Sequence, residues 1–314
     1  MTALTVRGTV TDRTGAATQW SAATDITTAA NTKPVIGVTG GNEAGFNAIN
    51  AQVGPVLARR TYNTTLPASW ATSAAASDVA AGRHSYWSWK PAVATFPTST
   101  SQKDAFSAFL DTIPAGHKAT IVAWHEPEDD IEGGAWTLAQ WTALQNAVSA
   151  IVKGKGRPNL RVGVCLMGPW TFDTRSGRTA WDWSGLNWAN IDVVGIDPYR
   201  LTTGSTMSLQ TLLTVNNSGS GTGGTQPSTM AHLAQWGKPV SLMEWGVANS
   251  TEASVATFIT QGYAWMKAWN QANPATLIES ALWYNYTLTN TDTPLTGVEV
   301  TAYAAAVADS KVAA

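Results

Sequence analysis

The sequence contains few of the residues that bind metals or form disulfides. It has one cysteine and four histidines among 314 residues. A single cysteine excludes an intramolecular disulfide and a cysteine-based metal site. Cys165 lies in the apolar run RVGVCLMG, where we expect a buried, unreactive thiol. A metal-dependent barrel hydrolase would carry a His-x-His pair near its first strand, and this sequence has none. We therefore expect neither a metal nor another cofactor.

Charged residues are also scarce. They make up 13% of the chain, the net charge is −2, and lysine and arginine form no cluster. Nucleic acids and anionic membranes are therefore poor candidates as partners. No stretch approaches the ~18 apolar residues of a membrane span, and the first residues lack the order of a signal peptide. A surface rich in Thr, Ser, Ala and Gly favours an extracellular, virion or cell-surface location, and we expect a monomer.

The pattern of apolar runs divides the chain into two parts. Residues 1–31 alternate polar and apolar positions around a DRTG turn, which predicts a short β extension and linker. From residue 32 to 314, eight strand-like runs are each followed by a helical stretch. Alternation of this kind predicts an α/β fold, a (β/α)8 TIM barrel. Ser101 with Asp104, and Asn249 with Glu252, are predicted to begin two of the helices.

Two glutamates end predicted strands, Glu126 in ATIVAWHEPEDD and Glu244 in GKPVSLMEWGV. A carboxylate at the end of a buried strand has no packing role, and the fourth and seventh strands of a parallel barrel end at the same mouth. Two carboxylates that face each other across a pocket are the groups that glycoside hydrolysis requires. We interpret the four acids after Glu126 as solvated charges at a helix start: Glu128, Asp129, Asp130 and Glu132.

Polar and aromatic residues end other predicted strands. Tyr199, at the end of the sixth, is predicted to reach Glu244 with its hydroxyl, and either Arg59 or Arg60 to pair with Glu244. Asp197 is expected to bind a substrate hydroxyl or to pair with Arg200 or Tyr62. Trp283, at the end of the eighth strand, is expected to form the floor of a sugar site.

These motifs resemble the clan A retaining glycoside hydrolases over residues 33 to 310. The matching pieces are WHEP on strand four, DPY on strand six, GKPVSLMEWG on strand seven and a tryptophan that ends strand eight. The resemblance implies a (β/α)8 barrel with Glu126 as acid/base and Glu244 as nucleophile. Most of the clan has Asn before the acid/base, whereas this chain has His125, as does the β-mannanase-like branch. The sugar bound next to the nucleophile stays unassigned.

Sixteen tryptophans either fill the core or stack on sugar rings. Several follow predicted strands, which favours a polysaccharide attacked internally. We expect His125 to donate a hydrogen bond to a substrate hydroxyl or a neighbouring carboxylate; the alternative is that it packs beneath its loop, held by Trp124. The predicted substrate-binding residues are His125, Tyr199, Trp283, Trp124, Asp197, Arg60, Trp89, Trp170 and Trp245.

A barrel without catalytic activity is the main alternative function. Such a module would bind carbohydrate or serve a structural role in a cell-surface or phage tail protein. The β extension and the Thr- and Ser-rich surface allow it, but two strand-end glutamates with Tyr199 and Trp283 favour the enzyme.

Overall fold

Eight parallel strands close into a barrel in the computed structural model of the protein. The strands are β1 Val35–Thr39, β2 Ala58–Asn63, β3 His84–Trp89, β4 Ala119–Ala123, β5 Leu160–Leu166, β6 Val193–Ile196, β7 Val240–Val247 and β8 Ile278–Tyr284. Each strand pairs with its neighbour in sequence, and β8 pairs with both β7 and β1. The predicted TIM barrel is confirmed. The structure describes residues 9–11, 17–19, 33–39, 42–172, 181–201, 205–215, 227–248, 250–285, 287–288, 291–292 and 294–311.

Helices follow the strands. They are α1 Glu43–Val53, α2 Ala76–Ala80, α3 Thr100–Asp111, α4 Pro127–Glu132, α5 Leu138–Gly154, α6 Leu209–Thr214, α7 Thr229–Ala234, α8 Glu252–Ala272 and α9 Gly297–Lys311. Between β5 and β6 the described residues form only 3-10 turns, at Gly168–Phe172, Trp183–Gly185 and Trp188–Asn190. Further 3-10 turns lie at Trp70–Thr72 and Pro274–Thr276.

Short strands lie outside the barrel ring. The strand Tyr199–Arg200 pairs with the end of β7 at Gly246 and Val247 and so extends the barrel mouth. Thr287–Leu288 pairs with Thr291–Asp292. In the predicted N-terminal extension, Thr9–Thr11 and Ala17–Gln19 pair as antiparallel strands. The separation of this extension from the barrel as a domain stays a prediction.

The apolar core has two layers, because alternate residues of each strand point to opposite faces. The larger layer lies between strands and helices. The smaller one fills the barrel itself and consists of Ala58, Tyr86, Val122, Cys165, Val193, Met243 and Leu282. Met243 occupies space that Gly195 leaves open, since a Cβ on Gly195 would lie 2.4 Å from the Met243 sulfur. No helix among the described residues is long and apolar enough to cross a membrane.

Candidate active site

Glu244 lies near the end of β7 with its carboxyl group surrounded by donors. The Tyr62 hydroxyl donates to Oε1, and the Tyr199 hydroxyl donates to Oε2 at 2.5 Å. Arg60 Nη1 lies 3.2 Å from Oε1. Two phenol donors and one cation therefore converge on this carboxyl group. Glu244 itself is buried.

Arg60 is the arginine of β2 that points into the barrel. Its neighbour Arg59 points outward, where it donates to Glu43 at 2.6 Å and packs over Phe46. The two adjacent residues diverge because side chains alternate along a strand. Of the two arginines that the sequence offered as partners for Glu244, the structure selects Arg60.

Asp197 shares the guanidinium of Arg60 with Glu244. Arg60 Nη1 lies 3.0 Å from both carboxylate oxygens of Asp197, and the Cys165 thiol donates to Oδ1 at 3.2 Å. Burial raises the pKa of Asp197 to about 7, although the adjacent Arg60 limits the rise. The partner of Asp197 is therefore Arg60; of the two predicted partners, Arg200 instead donates to Ser254 at 2.9 Å.

Glu126 follows β4 in a turn with unusual backbone angles. Trp124 and Glu126 have φ of 44° and 50°, in the left-handed region that non-glycine residues rarely adopt. The Glu126 amide donates to the Cys165 carbonyl at 2.9 Å, and Pro127 begins α4. Backbone strain of this kind costs about 1–3 kcal/mol for each residue and is found preferentially at functional sites.

The electrostatic environment of Glu126 favours its protonated form. Burial raises the pKa of its carboxyl well above the usual range, and the charges of Asp197 and Glu244 add to this effect, while Arg60 opposes it. A carboxyl that retains its proton to higher pH can act as a general acid.

His125 packs against Tyr62. The two ring centroids lie 5.2 Å apart, and burial lowers the pKa of His125 well below its usual value, with Arg60 and Lys90 adding to the effect. The imidazole is therefore neutral at physiological pH. Its Nδ1 is buried and has no hydrogen-bond partner among the described residues. The ring neighbour of His125 is Tyr62, whereas the sequence suggested Trp124.

Trp124 is fixed by polar contacts. Its Nε1 donates to Asp130 at 2.7 Å, its carbonyl accepts from Trp141 Nε1 at 3.0 Å, and the Lys90 ammonium lies 5.1 Å from the ring centroid. The Trp136 ring packs edge-on against it at 5.6 Å. Trp124 is half-buried, so part of its surface is accessible to a substrate.

Three other predicted sugar-binding tryptophans lie inside the protein. Trp89 is 4% exposed and stacks on Phe106 at 4.6 Å, while Trp245 and Trp283 have no exposed surface and pack edge-on at 5.0 Å. A ring with no free face cannot stack on a sugar, so these residues belong to the core and not to a binding surface. The predicted floor residue Trp283 is thus a packing residue in this structure. The side chain of Trp170 lies outside the described residues.

Sequence reasoning overlooked two contacts at the site. It offered Tyr62 only as a partner of Asp197, although Arg60 and Tyr62 are two residues apart on β2 and must face the same way. The alternation of side chains along β2 places Tyr62 on the same face as Arg60 and therefore predicts its contact with Glu244. The expectation that Cys165 is a buried thiol is confirmed, but its hydrogen bond to Asp197 was not anticipated.

Metal ligands do not cluster in the part of the chain that the structure describes. No group of three or more His, Cys, Asp or Glu side chains there is arranged to hold an ion. The chemistry available at this mouth is that of carboxyls, phenols, an arginine and a neutral histidine.

Comparison with known proteins finds a similarity of structure only. No protein-family model matches the sequence, and no curated protein does. The GH26 domain of an endo-beta-mannanase/endo-beta-glucanase from Prevotella bryantii matches with a TM-score of 0.52 and 14% identity, over 88% of this chain and 88% of that one. A GH26 beta-mannanase from Bacteroides ovatus gives 0.55 and 14%, over 89% and 90%. A beta-glycosidase from Pyrococcus horikoshii gives 0.51 and 11%, over 84% of each chain. This chain has the fold of glycoside hydrolases.

In barrels of this fold class, active sites lie at the C-terminal ends of the strands. Glu126 follows β4 and Tyr199 follows β6 at these ends, and Tyr199 contacts Glu244, which also contacts Arg60. At 11–14% identity the comparisons establish the fold.

Proposed function

We propose that the protein is a retaining glycoside hydrolase that cleaves a polysaccharide internally, with Glu126 as acid/base and Glu244 as nucleophile. The observation that carries the proposal is the contrast between the two carboxyls. Two phenols and Arg60 contact Glu244, whereas burial and negative neighbours favour a protonated Glu126. Retaining enzymes use one carboxyl as a proton donor and a second carboxyl as the nucleophile.

The proposed reaction has two displacements. A carboxylate oxygen of Glu244 attacks the anomeric carbon while Glu126 transfers its proton to the departing glycosidic oxygen, and a glycosyl ester forms. Glu126, now ionised, then removes a proton from water, which attacks the same carbon and releases Glu244 as carboxylate. Two inversions return the starting anomeric configuration.

The substrate class is inferred from the similar folds and from the strand-end residues. Two of the matched proteins are described as a beta-mannanase and an endo-beta-mannanase/endo-beta-glucanase. Trp124, half-buried beside Glu126, offers an aromatic surface at the mouth. A search for substrate should therefore begin with β-mannans and β-glucans and extend to cell-wall and capsular polysaccharides, each scored by product size. Mixed oligosaccharides support internal cleavage, while release of monosaccharide alone contradicts it.

Azide rescue tests the assigned roles. Glu244→Ala should abolish hydrolysis, and added azide should restore turnover with a glycosyl azide of inverted configuration as product. Glu132→Ala, which removes an exposed carboxylate on α4, serves as the control and should retain full activity. NMR of the first wild-type product should show the retained anomer. Binding without cleavage across the whole panel would favour the non-catalytic carbohydrate-binding module instead.

A further inference from the structure

Glu128 differs from the exposed helix-start charge that the sequence indicated. It is 3% exposed and lies in the first turn of α4, two residues after Glu126. Its Oε1 accepts a hydrogen bond from the Met167 amide at 3.1 Å and another from the Thr171 hydroxyl. Its Oε2 is buried and has no partner among the described residues. Burying a carboxyl costs free energy unless hydrogen bonds or a counter-charge compensate, and here only one of the two oxygens is hydrogen-bonded.

The partners of Glu128 belong to the segment that follows β5. Met167 comes directly after the strand, and Thr171 lies in the 3-10 turn Gly168–Phe172. At the same end of β5, the Cys165 carbonyl accepts a hydrogen bond from the Glu126 amide at 2.9 Å. The strained turn at Glu126 is thus attached to β5 at two points, once through its backbone and once through the Glu128 carboxyl.

We propose that Glu128 is a positioning residue that fixes the Glu126 turn by joining the first turn of α4 to the segment after β5. The proposal depends on the proposed function only for the acid/base role of Glu126, because the attachment itself is a property of the unliganded protein. Other contacts that hold this segment are the Glu126 amide bond to Cys165, the bond from Trp124 Nε1 to Asp130 and the bond from Trp141 to the Trp124 carbonyl. Of these, only the Glu126 amide bond reaches β5, so the Glu128 carboxyl supplies the second attachment to that strand.

The charge of Glu128 also reaches Glu126. Burial raises the pKa of Glu128 to about 7, against the hydrogen bonds from Thr171 and Met167, and the exposed Asp129 adds to the rise. Glu128 is in turn one of the groups that raise the pKa of Glu126. Removing the charge while keeping the acceptor should therefore lower the pKa of Glu126, an effect that a purely structural contact would not produce.

A titration that needs no substrate separates the electrostatic effect of Glu128 on Glu126 from its structural role. Glutamate labelled with ¹³C at Cδ is followed by NMR from pH 3 to 10 in the wild type, Glu128→Gln and the control Glu132→Gln. The Glu128 signal should have its midpoint near pH 7, against about 4.3 for a free glutamate. In Glu128→Gln the midpoint of Glu126 should fall, and in Glu132→Gln it should not move. An ordinary midpoint for Glu128, or an unchanged Glu126 in Glu128→Gln, would overturn the electrostatic part.

Amide hydrogen exchange tests the attachment. Thr171→Val removes one donor with little change of shape, and Glu128→Gln keeps the accepting Oε1. We expect exchange of the Glu126 amide to rise at least tenfold in Thr171→Val and to change less in Glu128→Gln. Equal protection of this amide in Thr171→Val and the wild type would refute the positioning role.

Kinetics on any polysaccharide that the panel identifies then connect the attachment to catalysis. Thr171→Val should lower kcat about tenfold with KM within twofold, and Glu128→Gln should shift the alkaline limb of kcat/KM to lower pH. An unchanged kcat in Thr171→Val would contradict positioning. If no glycan is cleaved by the wild type, the proposed function fails, while the titration and the exchange data still decide the role of Glu128.

Discussion

Tyr62 contacts three groups of the site at once. Its hydroxyl donates to Glu244, its ring packs on His125 at 5.2 Å, and the Arg60 guanidinium lies 5.0 Å from the ring centroid. Tyr62→Phe keeps the ring contacts and removes only the donor to the carboxylate. A hydrogen bond to a charged group contributes about 1.5–3 kcal/mol, so kcat/KM should fall roughly 10- to 100-fold.

A matched substitution separates this effect from general loss of stability. The Tyr263 hydroxyl also donates to a carboxylate, Asp309, at 3.0 Å, but it lies between α8 and α9 on the outside of the barrel. Tyr263→Phe should lower the melting temperature and leave kcat/KM unchanged. Equal losses of activity in the two variants would show that the Tyr62 hydroxyl has no particular role at Glu244.

The second prediction about a single residue concerns His125. Its buried, unpaired Nδ1 and lowered pKa describe a neutral imidazole with a free ring nitrogen beside Glu126. If the imidazole binds a substrate hydroxyl, His125→Ala should lower kcat and kcat/KM together by roughly 10²-fold, equivalent to about 2.7 kcal/mol, with folding nearly unaffected. Full activity with a much lower melting temperature would assign His125 to packing against Tyr62.

The residues best placed by sequence are those at strand ends. The expected contact of Tyr199 with Glu244 is present, as is the pairing of an arginine of β2 with Glu244. Sequence could not decide between Arg59 and Arg60, because the register of β2 determines which one faces inward. It also could not place Trp89, Trp245 and Trp283, since a flat apolar ring suits both a core and a sugar site.

For helices, the sequence predicts that a helix begins in a given region but not which residue caps it. Ser101 and Asn249 were predicted caps, yet Ser99 caps α3 through the Gln102 amide and Thr251 caps α8 through the Ser254 amide. The predictions of Ser101 and Asn249 were wrong by two residues, because runs of Ser and Thr offer several equivalent caps and packing chooses among them. Asn249 itself lies outside the described residues.

The first turn of α4 should make stability depend on pH. Because burial raises the pKa of Glu128 from 4.5 to about 7, the folded protein binds more protons than the unfolded chain between those values. This residue therefore contributes stability that is present below pH 4.5 and is lost as the pH rises through 7. Glu128→Gln should be more stable than the wild type at pH 8, by up to about 3 kcal/mol, and nearly equal to it at pH 5.

Urea unfolding at the two pH values measures this difference. Asp104→Asn, at an exposed carboxylate of α3, should follow the wild type at both. A Glu128→Gln protein that is less stable at pH 8 would mean that the ionised carboxylate is well accommodated. The expected gain implies that the wild-type residue sacrifices stability at alkaline pH, as is common for groups at functional sites.

For the whole molecule, strand order was predictable and interior packing was not. Eight apolar runs separated by helical stretches predict a parallel barrel, because each helical crossover returns the chain to the end of the sheet where the previous strand began. The layer that fills the barrel depends on contacts between strands that are far apart in sequence. Met243 on β7 fills space beside Gly163 on β5 and Gly195 on β6, and no local pattern indicates that match.

Gly195→Ala tests how tightly this layer is packed. The new Cβ would lie 2.4 Å from the Met243 sulfur and 2.7 Å from its Cγ and Cε, so it must displace a fully buried side chain. Overpacking of this kind costs about 1–3 kcal/mol.

In the background Met243→Ala, where the obstructing atoms are gone, the same substitution should cost much less, and the two changes should not be additive. Gly154→Ala, where a Cβ meets nothing within 4 Å, is the control and should not destabilise the protein. Urea unfolding of the wild type and the three barrel variants measures the coupling, and additive losses would show that Gly195 and Met243 do not pack against each other inside the barrel.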